Sequence, residues 1–265
     1  MLNYKILYKE GNTNMTVGII TGASSGLGKE YFYTLAGEKT VDEIWLIARR
    51  VDRLEALAKE RPDVKCRLVS LDLIKEEELN RFTEMLKSEN PDIRVLINNA
   101  GFGLLGDVAD LSEKGQADMV RLNCVTLTSI CTLALQYMKE GSYIINISSI
   151  ASFVPTPRMT VYSATKYYVT AFTRSLRYEL KKRGINALAV CPGPMDTEFL
   201  DVAGISGNSK TFDMLPRCNP KKVAGKSVVK AKKGKGVYTE LFFFKLYRVL
   251  AKLLPMSLLM NISKT

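Results

Sequence analysis

The chain of 265 residues contains no histidine, and this absence removes several classes of enzyme. Ser-His-Asp and Cys-His hydrolases need an imidazole base, and a metal site without histidine has only cysteine and carboxylate ligands left. The five cysteines are an odd number, and no two of them form a Cys-x-x-Cys pair. Neither a disulfide framework nor a zinc ribbon is indicated, so we predict reduced thiols, a cytoplasmic protein and no bound metal.

A long uninterrupted apolar run is missing from both ends of the chain. Residues 1–14 carry charges and lack an apolar core, so we expect no secretory signal there. Met15 lies just before the first predicted strand, and translation from it would make residues 1–14 a dispensable extension; the sequence does not decide between the two starts. The apolar tail, residues 241–265, contains basic residues at helical spacing and a proline, which argue against a membrane span. We expect the tail to pack on the core or on another subunit, with peripheral membrane contact as the alternative.

The charge balance is strongly basic, with a net charge of +11 and a pI near 9.3. Such a balance suits an anionic cofactor, an anionic membrane surface or solubility alone. No nucleic-acid recognition motif accompanies the charge, so we predict no nucleic-acid partner. Apolar residues make up 46% of the chain and charged residues 25%, which is typical of a globular protein.

Short apolar runs alternate with longer amphipathic stretches along most of the chain. This alternation predicts an α/β protein, a single Rossmann-type domain over residues 1–265 with a doubly wound parallel sheet of about seven strands and helices on both faces. The predicted strands are 17–21, 43–48, 64–73, 93–97, 143–147, 185–190 and 237–239. The predicted helices include 51–60, 75–88, 112–139, 162–183 and 220–233.

The alternation breaks at residues 195–220, which are too long for an ordinary connection and are predicted to be a substrate lid. The segment carries many large apolar side chains, which suit a bulky apolar ligand but could equally pack the loop itself. They are Met195, Phe199, Leu200, Val202, Ile205, Phe212, Met214 and Leu215.

A glycine-rich turn follows the first predicted strand in Thr21-Gly-Ala-Ser-Ser-Gly-Leu-Gly28. Glycines allow a tight turn and the close approach of phosphate oxygens to the backbone, and the helix that follows offers free N–H groups. The alternative is a simple strand–helix turn. The density of glycines at a first strand favours a dinucleotide site.

The second strand ends at Ala48, where an acidic residue would usually accept from a free ribose 2′-hydroxyl. Arg49 and Arg50 follow, and guanidinium groups suit a 2′-phosphate. We therefore predict NADP(H) as the preferred cofactor, with NAD(H) as the alternative. Asp72, after the third strand, either accepts from the adenine amino group or caps the next helix.

Tyr162 and Lys166 stand four residues apart, which places a phenol and an ammonium on one helix face. A lysine charge held close is expected to lower the pKa of the phenol from about 10 toward neutrality. Alone, such a pair is more often a solvated helix face. Ser149 precedes Tyr162 closely enough for a loop to return its hydroxyl to the same pocket, and Asn98 and Asn99 end the fourth strand, where they bind a ligand or hold the loop.

Together, these motifs resemble the short-chain dehydrogenase/reductase family of the single-domain type. The resemblance covers roughly residues 16–194 and is carried by the joint order of modest motifs. It implies that Tyr162 is the general acid/base, that Ser149 holds the substrate oxygen and that Lys166 binds the nicotinamide ribose. It further implies that Asn123 anchors a water in a proton relay, although a satisfied buried amide is the alternative. The cofactor positions that follow are Gly22, Ser24, Ser25, Gly26, Leu27, Gly28, Arg49, Arg50, Asp72, Leu73, Asn99, Ala100, Gly101, Tyr162, Lys166, Pro192, Gly193 and Thr197.

The family resemblance implies an oxidoreductase that interconverts a secondary alcohol and a ketone. The apolar lid favours a bulky substrate such as a hydroxysteroid or bile acid, which would give the protein a role in lipid metabolism. Long-chain acyl ketones and other small carbonyl compounds are the alternatives. A non-catalytic nucleotide sensor and a membrane-surface protein are the alternatives of another class. Relatives that pair through their long helices imply a homodimer or homotetramer.

Overall fold

The computed structural model describes residues 15–205 and 207–262, so the predicted extension 1–14 lies outside the described residues. Its centre is a seven-stranded sheet in the order β3-β2-β1-β4-β5-β6-β7, with every pairing parallel. The predicted α/β fold with a parallel sheet is confirmed. The strands are Thr16–Thr21 (β1), Glu43–Ala48 (β2), Cys66–Ser70 (β3), Asp92–Asn98 (β4), Met138–Ile147 (β5), Asn186–Val190 (β6) and Val237–Tyr238 (β7).

Helices cover both faces of this sheet. They are Gly26–Glu38 (α1), Val51–Lys59 (α2), Glu76–Glu89 (α3), Glu113–Val120 (α4), Leu127–Ala134 (α5), Thr160–Leu180 (α6), Glu198–Val202 (α7), Lys210–Met214 (α8), Pro220–Lys232 (α9), Phe242–Leu253 (α10) and Met256–Ile262 (α11). One face is covered by α1, α2 and α9, which bury Phe32 and Val228, for example. The other is covered by α3, α5 and α6, which bury Phe82 and Val169. A strand buried between two apolar layers has apolar side chains on both faces instead of alternating apolar and polar ones, which explains the continuous apolar runs in the sequence.

Most predicted elements begin or end within three residues of their observed bounds, and the larger differences are in the helix predicted over 112–139, the strand β5, which begins at Met138 instead of 143, and the third strand. The helix predicted over 112–139 ends at Tyr137, because Met138 already pairs with Ile93 as the first residue of β5. Its middle, Arg121–Thr126, is a π-helical stretch between α4 and α5. The third strand is shorter than predicted because the β2 residues that it pairs with end at Ala48.

The helical run Glu113–Tyr137 is long and apolar enough to cross a membrane by length and composition alone. Its Ile130 and Cys131 are fully buried against the sheet, as expected for a core helix. The predicted lid contains two short helices, α7 and α8, and the tail contains α10 and α11.

The strand order determines where a site can form. The chain leaves β1 for β2 and β3 on one side, then returns to β4 on the other side of β1. A crevice opens outside the carboxyl ends of the strands at such a reversal, and ligands of open α/β sheets bind there.

Candidate active site

A cavity of about 720 Å³ lies at these carboxyl ends, and it collects nearly all the residues predicted for the site. Of the predicted residues, Gly28, Asn98 and Asn123 are not among those that line it, and the Asn98 amide donates to the Asn146 Oδ1 at 2.9 Å. The predicted residues that line it are Gly22, Ser24, Ser25, Gly26, Leu27, Arg49, Arg50, Asp72, Leu73, Asn99, Ala100, Gly101, Ser149, Tyr162, Lys166, Pro192, Gly193 and Thr197.

The turn between β1 and α1 requires its glycines. Gly22 and Gly26 have φ values of +65° and +52°, which side chains disfavour. A Cβ on Gly28 would lie 2.1 Å from the carbonyl oxygen of Gly22, so only glycine allows this approach. The Asn99 amide donates to the carbonyl oxygens of Thr21 and Gly22 at 3.1 and 3.0 Å. Asn99 thus holds the loop, which is one of its two predicted roles.

The N-terminus of α1 points into the same cavity and fits an anionic ligand. Ser25 occupies the N-cap, and its side chain makes no capping hydrogen bond to the helix among the residues described. The first turn contains no acidic residue. Free N–H groups, the helix dipole and a turn in which Gly22, Gly26 and Gly28 carry no side chain suit a pyrophosphate, so the residues present fit a dinucleotide.

Tyr162 lies near the start of α6, with 7% of its surface exposed. Burial raises the pKa of its phenol to about 12, while a hydrogen bond with the Ser149 side chain acts in the opposite direction. The Ser149 hydroxyl also accepts from the Ala151 amide at 3.1 Å. The Phe199 ring from α7 lies 5.6 Å from the Tyr162 ring, centroid to centroid. The Tyr162 phenol and the Ser149 hydroxyl thus form one hydrogen-bonded pair, and the Phe199 ring packs beside it.

Lys166 lies one turn further along α6 and is 5% exposed. Its ammonium donates to the carbonyl oxygen of Ile147 at 3.0 Å and lies 5.5 Å from the centroid of the Tyr162 ring. Burial lowers the pKa of Lys166 to about 8. The predicted lowering of the Tyr162 pKa by this lysine is wrong for the structure as it stands. Loss of hydration on burial outweighs any effect of the neighbouring charge.

Asn123 is held in the π-helical stretch and is 1% exposed. Its amide donates to the Phe102 carbonyl oxygen at 2.9 Å and to the Thr165 hydroxyl at 3.1 Å, and its Oδ1 accepts from the Phe102 amide at 3.1 Å. The side chain is therefore a satisfied buried amide, and it ties the loop after β4 to α6. A Cβ on Gly101 would lie 2.8 Å from its Oδ1. The predicted part of Asn123 in a proton relay stays a prediction.

The two arginines after β2 have different surroundings. Both are exposed and line the cavity. Arg50 Nη2 donates to the Glu198 carboxylate at 2.8 Å and to the hydroxyls of Ser24 and Ser25 at 3.3 and 3.2 Å. The Arg49 guanidinium has no ion pair among the residues described. At the rim of the cavity, Arg50 is therefore paired with Glu198, whereas Arg49 has no ion-pair partner in the described part of the chain.

Glu198 is a site residue that the sequence prediction missed. It accepts from Arg50 and from Arg53, and these hydrogen bonds, led by that from Arg53, lower its pKa to about 2. Arg53 follows Arg50 by one helical turn, a spacing that could have indicated its place. Arg50 and Glu198 are 148 residues apart in the sequence, and no local pattern indicates that they pair.

Two further predicted residues have local roles. The Asp72 carboxylate accepts from the Ile74 amide at 3.4 Å, which shapes the turn after β3 before α3 begins. Thr197 is the N-cap of α7, and its side chain closes over the glycine turn, since a Cβ on Gly26 would lie 3.2 Å from the Thr197 Cβ. Both lie on the cavity wall, as predicted for cofactor contacts.

The remaining cavity wall is apolar, and residues 195–220 supply much of it. Leu200 and Phe199 pack in one cluster with Tyr162. Met214 is 84% exposed and Ile205 is 1% exposed, and neither is among the lining residues. The predicted lid residues that line the cavity are Met195, Phe199, Leu200, Val202, Phe212 and Leu215. Lining residues that the prediction missed include Phe102, Met159, Phe243, Phe244 and Tyr247.

Three of the missed residues come from α10 in the tail. Phe244 is fully buried, and its ring occupies the space beside Gly193, where a Cβ would lie 2.1 Å from the Phe244 Cε2. The tail helix thus packs directly on the loop after β6. Its unusual apolar content was the available signal, although the sequence left open where the tail would pack.

The comparisons with known proteins agree with this geometry. The family model for short chain dehydrogenases matches residues 16–204. An uncharacterized oxidoreductase of Staphylococcus aureus is 32% identical over 68% of this chain and 78% of its own length. A 15-hydroxyprostaglandin dehydrogenase [NAD(+)] of Mus musculus is 30% identical over 72% of this chain and 71% of its own. A short-chain dehydrogenase from Sphingobium yanoikuyae, solved in complex with NADPH, is 28% identical with a TM-score of 0.78 and covers 93% of this chain and 95% of its own.

Proposed function

This chain belongs to the short-chain dehydrogenase family and is an oxidoreductase acting on CH–OH groups, and from that premise we propose that it interconverts a secondary alcohol and a ketone on a bulky apolar substrate with NADP(H). The observation that carries the proposal is the hydrogen-bonded pair of Tyr162 and Ser149, beside the buried ammonium of Lys166, in the cavity that also contains the glycine turn.

The roles of the three polar residues follow from their chemistry. Ser149 and Tyr162 donate to the ketone oxygen, where negative charge develops during reduction. The reduced nicotinamide, when bound, supplies the hydride to the carbonyl carbon. Tyr162 gives its proton to the oxygen, so the product is a neutral alcohol. A pKa of about 12 keeps the phenol protonated near neutral pH, as an acid requires.

Lys166 contributes a buried positive charge at the same place. Its pKa of about 8 leaves it mainly charged near neutral pH. A charge 5.5 Å from the phenol ring stabilises the phenolate that remains after the proton has left. Lys166 also offers its ammonium to the nicotinamide ribose, and Asn123 fixes the adjoining loop.

The arginines support the choice of NADP(H) over NAD(H). β2 ends at Ala48, which has no group that accepts from a ribose 2′-hydroxyl. Arg49 is exposed beside it, and its guanidinium suits a phosphate bound by two hydrogen bonds. Arg50 already pairs with Glu198, so this carboxylate competes with a 2′-phosphate for it. NAD(H) remains the alternative, since the mouse relative is named for NAD(+).

The apolar wall supports a bulky lipid-like substrate. Aromatic and aliphatic side chains from residues 195–220, the loop after β4 and α10 line the same cavity as the glycine turn. We propose a hydroxysteroid, a bile acid or a long acyl ketone as the substrate, which is in keeping with the mouse relative, named for a hydroxyprostaglandin. A small carbonyl compound is the alternative. Residues 195–220 are proposed as the lid, since Phe199 and Leu200 cover Tyr162.

We also propose a cytoplasmic homodimer or homotetramer that pairs through the surface of α4, α5 and α6. Together with the π-helical stretch between α4 and α5, this surface exposes four large apolar side chains, Val120, Val125, Tyr168 and Tyr178, at 40%, 55%, 41% and 75%. Isolated exposed apolar residues are ordinary, but a group on adjacent helices suits a partner surface.

The function is tested by a screen of NADPH oxidation against steroid, long-chain acyl and sugar ketones. We expect turnover with at least one bulky apolar ketone and little with sugars. Tyr162→Phe serves as the control, because it should bind NADPH with unchanged affinity in a fluorescence titration while losing about 10²-fold or more in rate. Tight NADPH binding without oxidation of any ketone would contradict the enzyme and favour a nucleotide sensor.

A further inference from the structure

One side of α10 is apolar and faces away from the body of the protein. Phe242, Leu246, Val249 and Leu253 recur three or four positions apart and are 78%, 46%, 49% and 74% exposed. They therefore form a continuous strip along the helix, which we call the outer stripe. A contiguous strip of large exposed apolar residues marks a surface that contacts something apolar.

Basic side chains lie beside the outer stripe. Lys245 and Lys252 are exposed and directly precede Leu246 and Leu253 of the stripe, whereas Arg248 is half-buried on the side toward Cys191. None of them forms an ion pair with a described residue. The sequence contains no Asp or Glu between positions 241 and 265. The exposed side of this helix therefore combines apolar groups with uncompensated positive charge.

The opposite side of α10 is fixed to the protein. Phe244 is fully buried against Gly193, and Leu259 of α11 is 4% exposed in a cluster with Phe153 and Cys191. The helix is thus anchored by its inner face, and burial of that face does not require the outer stripe. Something other than the described part of the chain is needed to cover the stripe.

The outer stripe meets the rim of the cavity at Phe243. This residue is 54% exposed and also lines the cavity, together with Tyr247 one turn further along. A continuous apolar path therefore leads from the outer stripe, over Phe243, to the wall around Tyr162.

We propose that the outer stripe docks on an anionic lipid bilayer, with the mouth of the cavity at the bilayer surface, so that the substrate is a ketone or alcohol dissolved in the lipid. The docked side chains lie in the acyl boundary, while Lys245 and Lys252 extend to the lipid phosphates. The choice of substrate rests on the proposed function, whereas the docking does not.

A second copy of the chain fits the outer stripe less well. A twofold interface brings the same patch of both subunits together, so Lys245 and Lys252 of each would face those of the other. With no acidic residue on α10 or α11, such an interface has like charges without compensation. An anionic surface satisfies both the charge and the apolar groups.

Docking is tested by co-sedimentation of the full chain with phosphatidylcholine vesicles, with and without phosphatidylglycerol, in the absence of coenzyme and substrate. We expect binding to the anionic vesicles that weakens as salt rises. The double variant Leu246→Gln/Leu253→Gln should lower the partition coefficient about tenfold or more. The double variant Lys245→Gln/Lys252→Gln should also lower the partition coefficient onto anionic vesicles about tenfold.

Val229→Gln is the matched control, since Val229 is an apolar residue 43% exposed on α9, which belongs neither to the outer stripe nor to the proposed subunit surface, and should leave vesicle binding unchanged. The proposal is overturned if the wild-type chain stays in the supernatant with anionic vesicles. It is also overturned if Leu246→Gln/Leu253→Gln converts an oligomer to monomers in ultracentrifugation and has no effect on vesicle binding.

Delivery from the bilayer is tested with one ketone carried in vesicles and one freely soluble ketone. Leu246→Gln/Leu253→Gln should raise the apparent KM for the vesicle-borne ketone about tenfold, in line with its weaker docking, and leave kcat and KM for the soluble ketone unchanged. Equal effects on both ketones would overturn delivery. Absence of turnover with any ketone would contradict the proposed function, while the sedimentation result would stand on its own.

Discussion

The polar floor of the cavity and its apolar wall are built differently. The floor consists of Ser149, Tyr162 and Lys166, which are mainly buried and hydrogen-bonded to backbone or to one another, and Asn123 holds the adjoining loop after β4. The wall consists of the lid and α10, whose apolar residues range from fully buried to largely exposed. The floor has the rigidity that positioning of reacting groups requires, and the wall has the variable apolar surface that selects a substrate.

Gly193, in the loop after β6, contacts Phe244 of the apolar wall, so a substitution there should disturb both the wall and the coenzyme site. In Gly193→Ala the new methyl group would overlap the Phe244 ring, so the ring or the loop after β6 has to move. We expect a loss of about 3 kcal/mol in the free energy of unfolding, together with weaker coenzyme binding, because Gly193 and Phe244 both line the cavity. Urea unfolding and a coenzyme titration measure the two effects.

Gly37→Ala is the matched control, because a Cβ at Gly37 would meet nothing within 4 Å and the residue lies within α1. Its stability should equal or slightly exceed that of the wild type, since alanine favours a helix by about 1 kcal/mol. If Gly193→Ala behaves like Gly37→Ala, the wall is not packed on the floor as described.

The floor itself is tested through the buried charge of Lys166, whose pKa burial lowers from 10.5 to about 8. Below pH about 8 the folded protein carries this charge at a cost in stability. Between the two pKa values the unfolded chain binds a proton that the folded protein does not, so this contribution to stability rises with pH. Lys166→Met should remove the rise.

We therefore compare the free energies of unfolding of Lys166→Met and of the wild type at each pH. The value for Lys166→Met minus the value for the wild type should decrease between about pH 7 and pH 10, by on the order of 3 kcal/mol at most. Urea unfolding of both proteins across this range measures it, and the other titrating groups largely cancel in the difference. A difference independent of pH would mean that Lys166 is not buried as a charge.

The smallest expected effect concerns the rim, where the arginines meet the lid. Arg49→Ala should weaken NADPH binding about tenfold and NADH binding little, because only NADPH carries the 2′-phosphate. Glu198→Gln should strengthen NADPH binding a few-fold, about 1 kcal/mol or less, by releasing Arg50 from an exposed ion pair. Coenzyme titrations by fluorescence measure both variants. Equal changes for the two coenzymes would contradict the proposed preference.

Sequence patterns predicted the floor better than the wall, for physical reasons. The glycine turn and the pair Tyr162 and Lys166 are local patterns, and parallel strands bring their carboxyl ends together whatever the loops do. The lid and α10 contact the floor over long sequence separations, and apolar residues without a distinct spacing do not indicate which surface they cover. The pairing of Arg50 with Glu198 is equally nonlocal.

The pKa of Tyr162 shows a second limit of sequence reasoning. The spacing to Lys166 correctly indicated that the two side chains lie close together. Whether a neighbouring charge or burial determines the pKa depends on how much water reaches the phenol, and a single sequence does not reveal that. Burial has the larger effect in the structure.

Hydrogen transfer within this cavity is tested most directly with NADPH deuterated at C4 and a bulky ketone that the screen identifies. We predict that the alcohol formed by the wild-type protein carries deuterium on the former carbonyl carbon, and that Tyr162→Phe, with coenzyme still bound, forms almost none. The role of Tyr162 as the proton donor at this site would be contradicted if both proteins bind the coenzyme and no product of the wild type contains deuterium. It would also be contradicted if both proteins transfer deuterium equally.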